Sequence, residues 1–178
     1  MGASVVPTPS TASTAVTDNY VLISSVTPTA ASSTLSFTGI SGYRKLLLRT
    51  LNPGLSSTST ITLTFNGDSG TNYSYQSVAR SSTTGTASSV LNASAGTGLA
   101  LPSIPSGGLI QNLIINDTNT TGVKTFAGWI AKGDGGNTVY PEINGMYFAS
   151  AAITSVTLTV TTNTFAATGT VALYGVTT

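Results

Sequence analysis

Thr60-Ile61-Thr62-Leu63-Thr64-Phe65-Asn66-Gly67-Asp68-Ser69-Gly70-Thr71-Asn72-Tyr73-Ser74-Tyr75 decides the fold class of this chain. Ile61, Leu63 and Phe65 alternate with Thr60, Thr62 and Thr64, a period of two that gives a strand one dry face and one wet face. Asn66-Gly67 and Ser69-Gly70 then demand a tight reversal, because both pairs favour the left-handed backbone of a hairpin turn. The stretch is therefore expected to form a β-hairpin.

Outward from it the pattern repeats. Strands are predicted at Tyr20–Val26, Thr34–Ile40, Tyr43–Leu51, Thr60–Asn66, Tyr73–Ala79, Leu109–Asn116, Val123–Ala131, Thr138–Ala149, Ile153–Thr161 and Gly169–Val176, each bounded by Gly, Pro, Asn or Ser. No apolar stripe of helical period competes. Val156, Leu158 and Val160 alternate with threonines, so that strand has one solvated face. Leu46-Leu47-Leu48 and Leu113-Ile114-Ile115 are continuous apolar runs, expected deep in the sandwich or at a subunit contact. So many short strands point to an all-β, antiparallel, jelly-roll-like sandwich. Arg80 to Gly108, rich in Ser, Thr, Gly and Ala, is expected to be a long loop. Met1 to Asp18 is expected to be an extended Ser/Thr/Pro-rich arm, with Asn19 to Thr178 as the domain. In that arm Val5, Val6, Pro7, Pro9 and Val16 are the candidate anchoring residues.

The composition narrows the function. Charged residues make up 6% of the 178 positions, against roughly 25% in ordinary soluble domains. Serine and threonine, about a third of the chain, carry the polarity instead. A net charge of +1 makes no electrostatic case for nucleic acid, and weak charge protection favours life in an assembly. Arg44, Lys45 and Arg49 form one basic cluster, expected to be strand-edge charges that discourage aggregation. With no cysteine there are no disulfides or thiolate sites. No signal peptide is apparent, and no apolar run approaches the ~20 residues of a membrane-spanning helix.

Candidate chemistry is thin. The absence of histidine removes Ser-His triads and the commonest metal ligand. Asp134 and Glu142 could meet across a hairpin as a carboxylate pair, yet isolated acids in turns are the commoner arrangement, so no enzyme and no catalytic residue is expected. Asp68 and Asp134 sit in Gly-flexed, oxygen-rich loops of the kind calcium uses, but each supplies one carboxylate where calcium gathers several. The turn reading is preferred for both, and no metal or cofactor is expected. Trp129, Tyr73, Tyr75, Tyr140 and Tyr147 could form a sugar-stacking platform, although packing is the usual fate of aromatics on strands.

Leu63 to Ser74, and the ending Asn163-Thr164-Phe165-Ala166-Ala167 with Gly169-Thr170-Val171-Ala172-Leu173-Tyr174-Gly175-Val176, resemble small β-rich virion structural proteins of tailed bacteriophages. In that family the turn motif reads approximately R-F-N-G-D-[ST]-G-x-N-Y, matched here by Asn66, Gly67, Asp68, Gly70 and Asn72, and the last strand reads L-Y-G-[IV]. Thr64 stands where the family often has a basic residue. The resemblance implies a capsid decoration (cement) protein or, in the alternative, a tail or fibre adhesin that binds host glycans. It also implies assembly in the host cytoplasm into a virion, with partners being further copies in a homotrimer and the major capsid protein or another virion protein. Neither nucleic acid nor membrane is an expected partner.

Overall fold

In this computed structural model the described residues are 18–29, 32–51, 53–81, 87–101, 109–134 and 137–177. The expected arm, with its candidate anchors Val5, Val6, Pro7, Pro9 and Val16, lies outside the described residues. The chain is all-β, as expected. In order come β1 (Val21–Val26), β2 (Thr34–Thr38), β3 (Tyr43–Leu51), β4 (Ile61–Phe65), β5 (Tyr73–Ser81), β6 (Ala87–Gly96), β7 (Leu99–Ala100), β8 (Leu109–Asn116), β9 (Lys124–Asp134), β10 (Asn137–Tyr147), β11 (Ser155–Val160) and β12 (Thr170–Thr177).

Two antiparallel sheets pack face to face. The larger has eight strands in the order β1-β12-β3-β8-β9-β10-β5-β6, and the smaller has four in the order β2-β11-β4-β7. Setting aside β5-β6 and β9-β10 leaves β1-β12-β3-β8 facing β2-β11-β4-β7. That order is compatible with a jelly roll to one sheet of which two hairpins have been added. The hairpins join each other through β5 and β10, and join the rest through β8 and β9. They form a four-stranded wing on the larger sheet.

Period-two alternation places the core. On β4, Ile61, Leu63 and Phe65 point inward, and their partners on β11, Val156, Leu158 and Val160, are likewise buried. Leu46 and Leu48 on β3, Leu113 and Ile115 on β8, and Leu173 on β12 line the opposing inner face with no solvent exposure. Each such side chain contributes about 1.5–3 kcal/mol by leaving water. Glycines sit where rings cover the sheet. A methyl group at Gly145 would come within 2.6 Å of the Phe126 ring, and one at Gly175 within 2.3 Å of the Tyr43 ring. The glycine of the terminal L-Y-G-V motif is thus the seat of an aromatic side chain from β3.

Several expectations are corrected here. Arg80–Gly108 is not one long loop, because it contains β6 and β7. Of the two placements expected for Leu46-Leu47-Leu48 and Leu113-Ile114-Ile115, enclosure deep in the sandwich is the one that does not hold: Leu47 is half-buried and Ile114 exposed, both on the outer side of the larger sheet. Arg44, Lys45 and Arg49 do not lie on an edge strand, since β3 is flanked by β12 and β8. Arg44 and Lys45 instead bind the two carboxylate oxygens of Asp18.

Candidate functional site

The turn after β4 is real, but the hairpin is not. Asn66 and Gly67 have φ of 56° and 66°, and the Asp68 N–H donates to the Phe65 carbonyl at 2.9 Å, which makes a tight turn with two left-handed residues. Yet β4 stays in the smaller sheet, paired with β11 and β7, while β5 joins the larger sheet beside β10 and β6. The motif is a corner between sheets, the point at which the chain leaves the sandwich to begin the wing. The side-chain bonding explains why. The Phe65 N–H donates to the Tyr73 hydroxyl at 2.8 Å, where a hairpin would supply a partner-strand carbonyl. The Tyr73 hydroxyl in turn donates to the Asp68 carbonyl at 3.3 Å.

Four side chains of the motif, Asn66, Asp68, Asn72 and Tyr73, are engaged in holding the corner. The Asn66 side-chain oxygen accepts from the N–H groups of Thr154 (2.7 Å) and Ser155 (3.2 Å), and its amide donates to the Ala152 carbonyl (2.8 Å). That clamps β4 to the start of β11. Asp68 accepts from the Gly70 N–H (2.7 Å), the Asn72 amide (2.8 Å) and the Tyr147 hydroxyl (2.9 Å). The Asn72 amide, followed by the Gly70 N–H, holds the Asp68 carboxyl below its usual range. Behind the turn the rings of Phe65, Tyr73 and Tyr147 meet at centroid distances of 4.8–5.9 Å, with Phe126 at 6.5 Å from Phe65. Burial pushes Tyr73 up to about 12, and burial followed by the Asp68 hydrogen bond raises Tyr147 further. Both phenols are therefore neutral donors at ordinary pH.

Lys124 completes the corner, and nothing in its sequence setting marks it. Its ammonium is buried, donates to the Ala149 carbonyl at 3.0 Å and to that of Ala151, and lies 5.9 Å above the centre of the Tyr147 ring. Burial lowers its pKa. It fastens the link between β10 and β11. A cleft of about 150 Å³ nearby is lined by Ile40, Tyr43, Thr118 and Ile153. Part of its polar lining is also taken up internally, as in the Thr118 hydroxyl bond to the Tyr43 carbonyl and the Ile153 N–H bond to the Thr118 carbonyl.

The remaining candidates separate. Asp134 and Glu142 do not meet: Asp134 pairs with Asn137, and Glu142 pairs with Trp129, five positions further along β10. At ~3.4 Å per residue that puts their backbones about 17 Å apart along the hairpin. The side chain of Asp134 lies outside the described part of the molecule. Among the described residues no group of three or more His, Cys, Asp or Glu gathers in one place. The five aromatics divide as well. Tyr73 and Tyr147 are core, and Tyr75 packs against the core, but Trp129 and Tyr140 remain 48% and 51% exposed.

Trp129 and Tyr140 share the outer face of the wing. Ile130 and Ile143 face inward, so their alternates Trp129, Tyr140 and Glu142 face out. Across the sheet runs the row Arg49, Asn112, Trp129, Glu142 and Val78. The adjacent row runs Leu47, Ile114, Ala127, Asn144 and Gln76. Ile114, Ala127, Trp129, Glu142 and Asn144 border a shallow, open depression of about 330 Å³. No hydrogen bond to another described residue occupies the side chains of Asn112, Glu142 or Asn144, in contrast to Asn66, Asp68, Asn72 and Tyr73 at the corner. The signal for this face is present in the sequence as parity: Trp129 is adjacent to a core isoleucine, and Tyr140 is an odd number of residues from Ile143.

Comparison of the chain with protein-family models, with curated proteins and with solved structures finds no match in any of the three.

Proposed function

We propose that the chain is a non-enzymatic structural protein of a tailed-bacteriophage virion, in first place a capsid decoration (cement) protein. The observation that carries this reading is the contrast in how polar groups are used. In the motif that resembles the phage proteins, Asn66, Asp68, Asn72 and Tyr73 are engaged in joining two sheets, and the carboxylates of Asp18 and Asp68 are both held in internal bonds. What is offered outward is a broad sheet face carrying Ile114, Trp129, Tyr140 and Met146, all exposed. A face of this kind suits contact with an extended surface rather than turnover of a small molecule, which leaves attachment to the particle to other parts of the chain. The scarcity of charge supports life in an assembly, where neighbours and not electrostatic repulsion keep the chain from precipitating. A cement protein of this design would stabilise the shell by binding the assembled particle in preference to the free subunits.

The test is made on particles. Purified virions should contain the chain in fixed proportion to the major capsid protein by mass spectrometry, and virions lacking it should lose their genome at lower temperature. A truncation lacking residues 1–17 should fail to be incorporated if that segment anchors the protein. Particles that never contain the chain would overturn the reading. The exposed Trp129 and Tyr140 pair favours the second reading, a tail or fibre component that touches host glycans; locating the chain on the particle by electron cryomicroscopy separates the two.

A further inference from the structure

The geometry points to a carbohydrate-binding platform on the outer face of the wing, centred on Trp129 and Tyr140. Both are large aromatics that the fold leaves half exposed on one face. Trp129 stands directly opposite Glu142, and Tyr140 lies two residues before Glu142 on the same side. Diagonal neighbours of this kind are roughly 7–8 Å apart, close enough for two rings to make one continuous surface. The ring faces suit the apolar C–H faces of a pyranose, and the polar groups around them suit its hydroxyls.

Those polar groups are what select the occupant. Glu142 is a pure acceptor, Arg49 a pure donor, and Asn112 and Asn144 are both, so together they match the mixed donor and acceptor character of vicinal hydroxyls. Glu142, Asn112 and Asn144 have no hydrogen bond to another described residue, so they can bond a ligand without breaking an internal contact. A protein partner is disfavoured because the centre of a protein interface is depleted of charge, whereas Glu142 sits beside Trp129 at the centre of this one. Nucleic acid is disfavoured because that carboxylate stands where clustered cations would be needed. The residues project from β3, β8, β9 and β10, paired strands that hold them in place before any ligand arrives. The depression bordered by Trp129, Glu142 and Asn144 is shallow and open, fitting a chain of sugars laid along it better than an enclosed small molecule.

This platform deepens the virion reading by naming the chemistry such a particle would touch on its host, and its test is made on the isolated full chain. The probes are an array of immobilised oligosaccharides together with bacterial surface polysaccharides, followed by solution titration of each glycan that binds. Trp129 is the sole tryptophan of the chain, so its fluorescence reports the platform directly. At least one glycan class should bind and shift that emission. Trp129→Ala should abolish binding to the array, Trp129→Phe should retain part of it, and Glu142→Gln should weaken it at least tenfold, with thermal unfolding unchanged in all three. No binding anywhere on the array, or a glycan bound equally by Trp129→Ala, would overturn the platform. That failure would leave detection of the chain in purified particles as a separate result, so the two readings fall independently.

Discussion

The corner at Asn66 to Tyr73 and the outer face around Trp129 are both built from aromatics and short polar side chains, yet they use them in opposite ways. At the corner, three hydrogen bonds converge on one carboxylate and a tyrosine hydroxyl replaces a strand partner. On the outer face, a carboxylate and two amides stand beside a half-exposed tryptophan with no bond to another described residue. A sequence motif that attracts attention is here an architectural joint. The residues free to act elsewhere are ones that no motif marks. The comparison teaches that local distinctiveness in a β protein often measures how hard a turn is to build.

Removing the ring at the centre of the corner should have the largest effect. Phe65 is fully buried against Tyr73, Tyr147 and Phe126, and Phe65→Ala should cost about 3–5 kcal/mol in urea unfolding. A cost no greater than that of a surface substitution would break the claim that the corner is structural. Asp68→Ala comes next, at about 1.5–3 kcal/mol, because it leaves the Gly70 N–H, the Asn72 amide and the buried Tyr147 hydroxyl without their acceptor. Gly145→Ala should cost about 1–3 kcal/mol, since the added methyl would lie 2.4 Å from the Ser74 carbonyl oxygen and 2.6 Å from the Phe126 ring. Calorimetric melting temperatures of the three variants would rank them.

Much of the architecture is legible in the sequence, and the parts that are not share a cause. All ten predicted strands exist, because alternation of Ile, Leu, Val and Phe with Thr is set locally by which face meets water. β6 escapes such a reading because Ala87–Gly96 is mostly Ser, Ala and Gly, with no large alternating side chain to reveal an edge strand paired on one side. β7 is two residues long and carries no period at all. The Asn66-Gly67 pair does encode its turn, but which strands pair beyond it depends on β11 and β10, about 70–90 residues away, and no local pattern encodes that distance. Burial of Lys124 is likewise invisible, because its acceptors are main-chain carbonyls after β10 that any sequence would supply.

Acidification gives a smaller, directional effect. The folded pKa of Asp68 lies below 3.8, so its contribution is fully present above that value and is lost as pH falls through the lowered folded value. Asp18, lowered first by its bond to Lys45, titrates in the same direction. Unfolding midpoints measured from pH 5 down to pH 2 should therefore fall, and Asp68→Asn should fall less steeply than the parent. An identical slope for the two would show that the corner carboxylate has no stabilising bonds to lose.

The smallest effect belongs to the outer face, and setting it beside the corner makes the most direct measurement: urea unfolding of Asp68→Ala and Trp129→Ala under one set of conditions. Trp129→Ala should stay within about 0.5 kcal/mol of the parent, as an exposed side chain with no internal task does, while Asp68→Ala loses several times that. Equal losses, or the reverse order, would contradict the division of the molecule into a joint that holds the fold and a face left open to a partner.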